Sequence, residues 1–234
     1  MYCFIDYRTT KEEINNLYKL NLEPILVPKS DEVYEAINGH PDIQLNILKN
    51  NSENKIIVHK NISSNFLNIL NNKNIKYIVS ESSLSNTYPK DIILNSLILD
   101  NYFIHNLKYS DNNLMLSQSD KIKINVNQGY TKCSILPIRD KALITSDIGI
   151  YSTLINYDFD VLLLPSGDIL LPNLNYGFIG GTGGLISDSK IAFFGELSHY
   201  EWGNEVNNFL YKYDVCPIYL RKGKLIDRGS LLVL

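Results

Sequence analysis

The fold is decided by residues 39–48, which read GHPDIQLNIL. Residues 88–97 read YPKDIILNSL and repeat the order Asp-Ile-x-Leu-Asn-x-Leu. Internal similarity at a spacing of about 50 residues is typical of proteins built from repeated structural units. The two copies therefore predict a repeat architecture. In such a chain a recurring polar residue is first interpreted as part of the fold, and one that does not recur is the better candidate for function.

The same order of elements recurs five times along the chain. Each unit reads as strand, helix, strand, loop and strand, and the strands that follow the helices begin near residues 24, 75, 122, 160 and 216. The fifth unit lacks its last strand, whereas the strand at residues 2–6 stands alone before the first helix. We therefore expect residues 231–234 to pair with residues 2–6, because this closes the set of sheets and covers two open sheet edges.

Some local predictions follow from the apolar pattern alone. Residues 43–48 and 92–97 are predicted as strands, and residues 49–54 as a polar turn. Residues 109–120 carry little helix signal, which makes this link the weakest part of the repeat. No linker separates the units, so residues 1–234 are predicted to form a single domain.

Composition excludes several classes of function. The chain has 234 residues, of which 44% are hydrophobic and 20% charged, as in a soluble globular protein with a core. Its net charge of −3 and the absence of a long basic cluster argue against nucleic acid as a partner. No apolar run approaches the roughly 20 residues of a membrane-spanning helix. We expect neither a nucleic-acid partner nor a membrane.

The cysteines predict a reducing compartment. The chain has three, Cys3, Cys133 and Cys216, without a Cys-x-x-Cys pair. With no signal-peptide pattern at the N-terminus, this indicates a cytoplasmic protein without disulfides or a Cys-based metal site. Cys3 and Cys216 fall within strand patterns and are predicted to lie in the core.

No cofactor is predicted. The glycine-rich run at residues 180–184 reads GGTGG, but it lacks the Lys-Ser/Thr of a phosphate-binding loop and a following helix. We interpret these glycines as sites where the backbone passes close to another segment. The long loop at residues 166–176 is a candidate lid.

The fivefold order resembles the pentein fold, a five-bladed α/β propeller. This is the fold of the guanidino-group-modifying enzymes (arginine deiminases, dimethylarginine hydrolases and amidinotransferases). The chain also resembles a group of small bacterial proteins of unknown function with that fold. His40-Pro41-Asp42 resembles the His-x-Asp/Glu pair of the enzymes, and residues 132–138, KCSILPI, resemble the segment of their nucleophilic cysteine. The resemblance implies a Cys-dependent hydrolase or amidinotransferase acting on an arginine-like or amino-acid-like small molecule.

The chain departs from the enzymes in one respect. Their nucleophile lies in the last unit, where this chain reads Arg228-Gly229-Ser230 without a cysteine. Cys133 lies in the middle unit and His40 in the first. The fold also has non-catalytic members, such as the ribosome anti-association factor of archaea and eukaryotes. A non-catalytic module that binds a small ligand or a protein is therefore the alternative.

The loops before the five hairpins are expected to meet at one cavity. A guanidine-modifying site needs carboxylates to hold the guanidinium, a thiolate to attack its carbon, and a histidine to transfer protons. We assign catalysis to Cys133 and His40, with Asp42 and Asp91 as the carboxylates. The substrate-binding candidates are Asp42, Asp91, Lys132, Thr182, Arg228 and Ser230.

Each assignment has a structural alternative. Cys133 is equally well interpreted as a small buried strand residue. His40 lies between Gly39 and Pro41, where a histidine can also stabilise a turn. Because Asp42 recurs as Asp91, the pair can brace equivalent turns instead. A third option is a hydrolase that uses Ser230 with Arg228.

Overall fold

The computed structural model describes residues 1–49 and 55–234, so most of the predicted turn at residues 49–54 lies outside the described residues. The strands are β1 (Tyr2–Asp6), β2 (Glu23–Val27), β3 (Leu45–Leu48), β4 (Lys55–Val58), β5 (Lys76–Val79), β6 (Leu97–Ile98), β7 (Tyr102–His105), β8 (Ile122–Asn125), β9 (Ile135–Arg139), β10 (Ala142–Thr145), β11 (Asp160–Leu163), β12 (Gly183–Ser187), β13 (Lys190–Phe193), β14 (Cys216–Tyr219) and β15 (Leu232–Val233). The helices are α1 (Lys11–Lys19), α2 (Pro41–Gln44), α3 (Ser64–Asn72), α4 (Asn112–Ser117), α5 (Thr131–Ser134), α6 (Ile148–Leu154) and α7 (Gly203–Lys212).

The described strands form five three-stranded sheets of one design. Their orders are β15-β1-β2, β3-β4-β5, β6-β7-β8, β9-β10-β11 and β12-β13-β14. In each sheet the middle strand is antiparallel to one neighbour and parallel to the other. A helix (α1, α3, α4, α6 or α7) makes each parallel connection. The mixed α/β fold and its five repeated units are thus as predicted.

The two ends of the chain pair with each other. β15 runs antiparallel to β1, with Cys3 opposite Val233 and Phe4 opposite Leu232. The predicted pairing of the terminal strands is confirmed. It completes the sheet that would otherwise hold only β1 and β2.

The hairpin strands of the five sheets face a common space. A cavity of about 480 Å³ is lined by residues of β3, β6, β9, β12 and the segment that contains β15. β12 contacts both β9 and β15, and β15 contacts β3. The polar segments that immediately precede these strands are therefore brought close together.

Three local predictions were wrong, and the segment with the weakest helix signal does form the helix that the repeat requires. Residues 43–48 and 92–97 are not complete strands, because α2 extends to Gln44 and β6 covers only Leu97–Ile98. Pro41 at the first helical position favours the helical turn. α4 forms within residues 109–120, where the Asp111 side chain caps the N–H groups of Asn113 and Leu114. Cys216, predicted in the core, is exposed on β14, whereas Cys3 is buried as expected.

The described residues include no helix with the length and apolar character needed to cross a membrane. The helices instead use their apolar faces to cover the sheets. On α3, for example, Phe66 and Leu70 are buried in the same cluster as Phe4 of β1 and Val58 of β4. The sheet closed by the two chain ends thus shares its core with the next unit.

We predict that Phe4→Ala lowers the free energy of unfolding by about 3–5 kcal/mol. Phe4 is fully buried, faces Leu232 across the terminal strand pair and packs against Phe66, with the ring centroids 6.3 Å apart. Urea denaturation followed by circular dichroism measures the loss. The matched control is Leu26→Ala on neighbouring β2, where the side chain is 43% exposed, and we expect a change within about 1 kcal/mol. Equal losses in the two variants would contradict this role for the terminal strand pair.

Candidate active site

Two short helices position the central side chains of the site. α2 precedes β3 and carries Asp42, with His40 as its N-cap residue, and α5 precedes β9 and carries Cys133. The Asp42 backbone N–H donates to the carbonyl of Gly229 at 3.2 Å, which ties the first unit to the last. These turns occupy equivalent places in their units, so the fold brings their side chains to one place.

His40, Asp42 and Cys133 lie together, as the sequence motifs suggest. One side-chain atom of each (a ring nitrogen, a carboxylate oxygen and Sγ) lies within 4.8 Å of the other two. The Cys133 thiol donates a hydrogen bond to Asp42 Oδ2 at 3.2 Å. All three residues are almost fully buried. The arrangement joins a thiol, an imidazole and a carboxylate, groups whose chemistry suits nucleophilic attack, proton transfer and cation binding.

Asn95 holds the two helices against each other. Its Nδ2 donates to Cys133 Sγ at 3.1 Å and to the Asp42 carbonyl at 2.8 Å. Its Oδ1 accepts from the backbone N–H groups of Lys132 and Cys133 at 2.9 and 3.2 Å. Asn95 thereby fixes the Sγ position, and its recurrence in the Asp-Ile-x-Leu-Asn-x-Leu repeat is the sequence signal for this role.

Asp227 is a second carboxylate of the site, which the sequence analysis did not single out. Its Oδ1 lies 3.8 Å from His40 Nδ1, and its two oxygens accept from the backbone N–H groups of Phe178 and Gly229, each at 2.9 Å. A Cβ at Gly181 would lie 1.9 Å from Asp227 Oδ1. The glycine-rich run therefore allows a close approach, and it does so to this carboxylate.

The carboxylates hold the thiol in its neutral form. Burial raises the pKa of Cys133 well above its usual value, and the charges of Asp42 and Asp227 raise it further. Burial also raises the pKa of Asp227, and the nearby Asp42 adds to this, whereas His40 opposes it. A thiolate would be a further negative charge in the same buried space. A bound cation would relieve this repulsion and favour the thiolate.

Lys132 reaches the site only through Ser230. Its Nζ donates to Ser230 Oγ at 2.8 Å and to the Gly180 carbonyl at 3.4 Å. The Ser230 hydroxyl lies 2.7 Å from Asp42 Oδ2 and 2.8 Å from the Gly180 carbonyl, and it can donate to either. Burial lowers the pKa of Lys132. The ammonium thus stabilises Asp42 from the side of the larger cavity, which Lys132 lines.

The other predicted binding residues lie further from the thiol. Asp91 accepts a hydrogen bond from the Tyr130 hydroxyl, which lies 3.1 Å from the hydroxyl of Tyr34. Thr182 donates to the carbonyl of Ile179 at 2.7 Å, within its own turn. Arg228 points toward Glu13, with Nη2 and Oε2 3.7 Å apart. The structure therefore does not bring Thr182 or Arg228 to the thiol, and Asp91 is connected to the site through Tyr130.

A cavity of about 330 Å³ opens onto the thiol. Its polar lining includes His40, Cys133 and Asp227. The remaining lining residues are mostly aromatic or aliphatic: Tyr34, Ile37, Tyr130, Leu171, Leu174, Asn175, Tyr176 and Phe178. The loop at residues 166–176, predicted as a candidate lid, supplies four of these residues: Leu171, Leu174, Asn175 and Tyr176. This loop forms one wall of the cavity.

Several buried polar atoms at the cavity have no protein partner. Within the described residues, both ring nitrogens of His40 lack a hydrogen-bond partner, and so does Asp42 Oδ1. Buried polar atoms are nearly always satisfied, so their clustering here indicates a place where a ligand binds. The nitrogen, oxygen and sulfur atoms of His40, Asp42 and Cys133 are also ligands that Zn²⁺ accepts.

Solved structures share this architecture. Similar structures include the amidinotransferase SxtG from Microseira wollei (TM-score 0.53, 9% identity, covering 89% of this chain and 74% of that one). The agmatine deiminase of C. jejuni gives a TM-score of 0.53 at 12% identity, covering 94% and 87% of the two chains. DDAH from Pseudomonas aeruginosa, complexed with citrulline, gives 0.51 at 7% identity, covering 94% and 92%. These are pentein superfamily members, and the chain has their fold.

The chain belongs to the family of unknown function DUF6873, which matches residues 4–232. A comparison with curated protein sequences finds no match. Chemistry must therefore be argued from the geometry of the site.

We predict that Asp42→Asn makes Cys133 more reactive toward alkylating reagents. The substitution removes a negative charge beside Sγ and lowers the pKa of the thiol, and each pKa unit raises the thiolate fraction about tenfold. Iodoacetamide labelling at pH 8 in a Cys216→Ser background, resolved by peptide mass spectrometry, measures the rate at Cys133.

Two controls separate this effect from unfolding. Cys3, whose pKa burial raises to about 12, should stay unlabelled and so reports that the fold is intact. Asp31→Asn changes a side chain that is 94% exposed and should leave the rate at Cys133 unchanged. A rate at Cys133 that does not rise in Asp42→Asn would show that Asp42 does not control the thiol.

Proposed function

We propose that this protein is a Cys-dependent hydrolase or amidinotransferase that acts on the guanidino or amidino carbon of a small molecule. The observation that carries the proposal is the approach of His40, Asp42 and Cys133 side-chain atoms to within 4.8 Å at the edge of a cavity. The similarity to an amidinotransferase and an agmatine deiminase adds support at the level of the fold.

In this reaction the planar cation lies between Asp42 and Asp227. A guanidinium or amidinium group donates hydrogen bonds to carboxylates in a bidentate way. Its charge lowers the pKa of the Cys133 thiol, which loses its proton to His40. Sγ then attacks the central carbon, and the leaving amine takes a proton from His40. Water hydrolyses the covalent adduct, or an acceptor amine takes the group, and His40 removes a proton from either.

The position of Cys133 supports a catalytic role and restricts the path by which a substrate can reach the thiol. A catalytic Cys133 should lie near His40 and face a cavity, whereas a structural Cys133 should be buried with His40 on the outer rim. Both side chains line the cavity, yet each is about 98–99% buried. The substrate must therefore reach the thiol through the cavity.

Two other functions have some support. A binding module without catalysis is favoured by the raised pKa of Cys133, which keeps the thiol unreactive until a cation arrives. A hydrolase that uses Ser230 would draw on the ammonium of Lys132, but Ser230 does not line the cavity of the thiol. We rank the thiol enzyme first.

Two further proposals concern the arrangement of the sheets and the cellular location. We propose that the five sheets are the blades of one propeller domain around the cavity that their hairpin strands line. We also propose a cytoplasmic location, since Cys3, Cys133 and Cys216 are all free thiols.

We predict that Cys133→Ser abolishes turnover of the substrate, by at least about a thousandfold, while the protein stays folded. The assay is release of ammonia, amine or ureido product from a panel of guanidines and amidines, with thermal unfolding as the measure of the fold. Cys216→Ser is the matched control, because Cys216 is exposed on β14 and does not line the cavity, and it should keep full activity. Full turnover by Cys133→Ser would refute the thiol mechanism. Ligand binding without turnover by the unmodified protein would favour the binding module.

A further inference from the structure

Among the described residues, the cavity at the thiol is lined by a carboxylate and by no Lys or Arg side chain. The residues that line it all lie in the described part of the chain, and none of them is Lys or Arg. Asp227 is in the lining, and Asp42 is hydrogen-bonded to the thiol that is also there. A molecule that binds here meets carboxylates at one end of the cavity and no counter-charge for an anionic group elsewhere.

The nearest cationic side chains are engaged elsewhere. Arg228 faces Glu13, and the Lys132 ammonium is bound to Ser230 and the Gly180 carbonyl. Arg8, whose charge also acts near Asp227, forms a bidentate pair with Asp6. These contacts would have to break before any of the three could hold a carboxylate of a ligand.

The rest of the cavity is suited to an apolar group. Tyr34, Tyr130, Tyr176 and Phe178 provide aromatic surface, and the Tyr130 and Phe178 ring centroids are 6.2 Å apart. Aromatic faces attract cations and pack well against flat apolar groups. The Tyr130 hydroxyl is already bound to Asp91, so it does not offer its proton to a ligand. Asn175 provides one neutral amide.

A ligand carboxylate would be costly in this place. It would lose its water without gaining a charged partner, and it would lie in the same small space as Asp227 and Asp42. A neutral amide such as that of Asn175 does not compensate for a full charge. A volume of about 330 Å³ is at the low end of ligand cavities, so a carboxylate held inside it would lie close to Asp227.

We infer that the ligand is a monocationic guanidine or amidine with an apolar or aromatic remainder and no carboxylate. This inference rests on the proposed function for the cationic head group, and it goes beyond it by excluding amino acids such as arginine as the preferred ligand. The guanidinium or amidinium binds at Asp42 and Asp227, and the remainder packs against the aromatic wall and the loop at residues 171–178.

Matched ligand pairs test the inference. Phenylguanidine and para-guanidinobenzoate differ only by a carboxylate, and so do propylguanidine and gamma-guanidinobutanoate. Isothermal titration of the Cys133→Ser variant, which retains the cavity, should show the carboxylate-free member of each pair binding at least tenfold more tightly. Equal or tighter binding of the carboxylates, or no binding of either member, would overturn the inference.

Turnover by the unmodified protein separates this inference from the proposed function. Tight binding of the carboxylate-free ligands without turnover would support the inference about the ligand and refute the proposed enzymatic function. The opposite result is turnover of arginine or para-guanidinobenzoate with a kcat/KM equal to that of the carboxylate-free ligand. That result would support the proposed enzymatic function and refute the inference about the ligand.

A substitution in the loop provides a second test. Leu174 lines the cavity and is 47% exposed, so an arginine can replace it without entering the core. Leu174→Arg should strengthen binding of para-guanidinobenzoate about tenfold and reduce the preference for phenylguanidine. Leu170→Arg is the control, because Leu170 lies in the same loop and is 46% exposed but does not line the cavity. The same gain in both variants, or none in Leu174→Arg, would count against the missing counter-charge as the cause of selectivity.

Discussion

The hydrogen bond from the Cys133 thiol to Asp42 is the contact on which the site depends. It joins α5 of the middle unit to α2 of the first, and it places the sulfur beside a carboxylate where both residues are almost fully buried. Buried charges need partners, and here Ser230 connects Asp42 to the ammonium of Lys132. Burial, together with the charges of Asp42 and Asp227, raises the pKa of Cys133 and so favours the neutral thiol.

The repeats explain how side chains from different units come to one place. Every hairpin strand is preceded by a segment that points toward the same region, so the units are geometrically equivalent. Asp42 and Asp91 show how equivalent positions diverge: the first binds the thiol, and the second binds Tyr130. A recurring residue therefore keeps its place in the fold, while its partner decides whether it takes part in chemistry.

The sequence predicts the sheets better than the site. Five units and the pairing of β1 with β15 follow from periodicity and from one strand left without a partner. His40 could be selected because the matching position of the second copy is Pro89, and Cys133 because residues 132–138 resemble the segment of the enzymes' nucleophilic cysteine. The helical turns α2 and α5 were missed because each has only four residues, too few to show a helical period. Asp227 and the aromatic wall were missed for another reason: their positions depend on how the loop at residues 166–178 folds back, and no local pattern encodes that path.

The loop at residues 166–178 and Asp227 are held together by hydrogen bonds. The Asp227 backbone N–H donates to the Leu170 carbonyl, and its side chain accepts from the Phe178 N–H, so the residue holds both ends of the segment that carries Leu171, Leu174 and Tyr176. The same side chain faces His40. Asp227 therefore joins the wall of the cavity to His40 through one side chain. A Cβ at position 181 would lie 1.9 Å from Asp227 Oδ1, so this carboxylate can take its place only because residue 181 is a glycine.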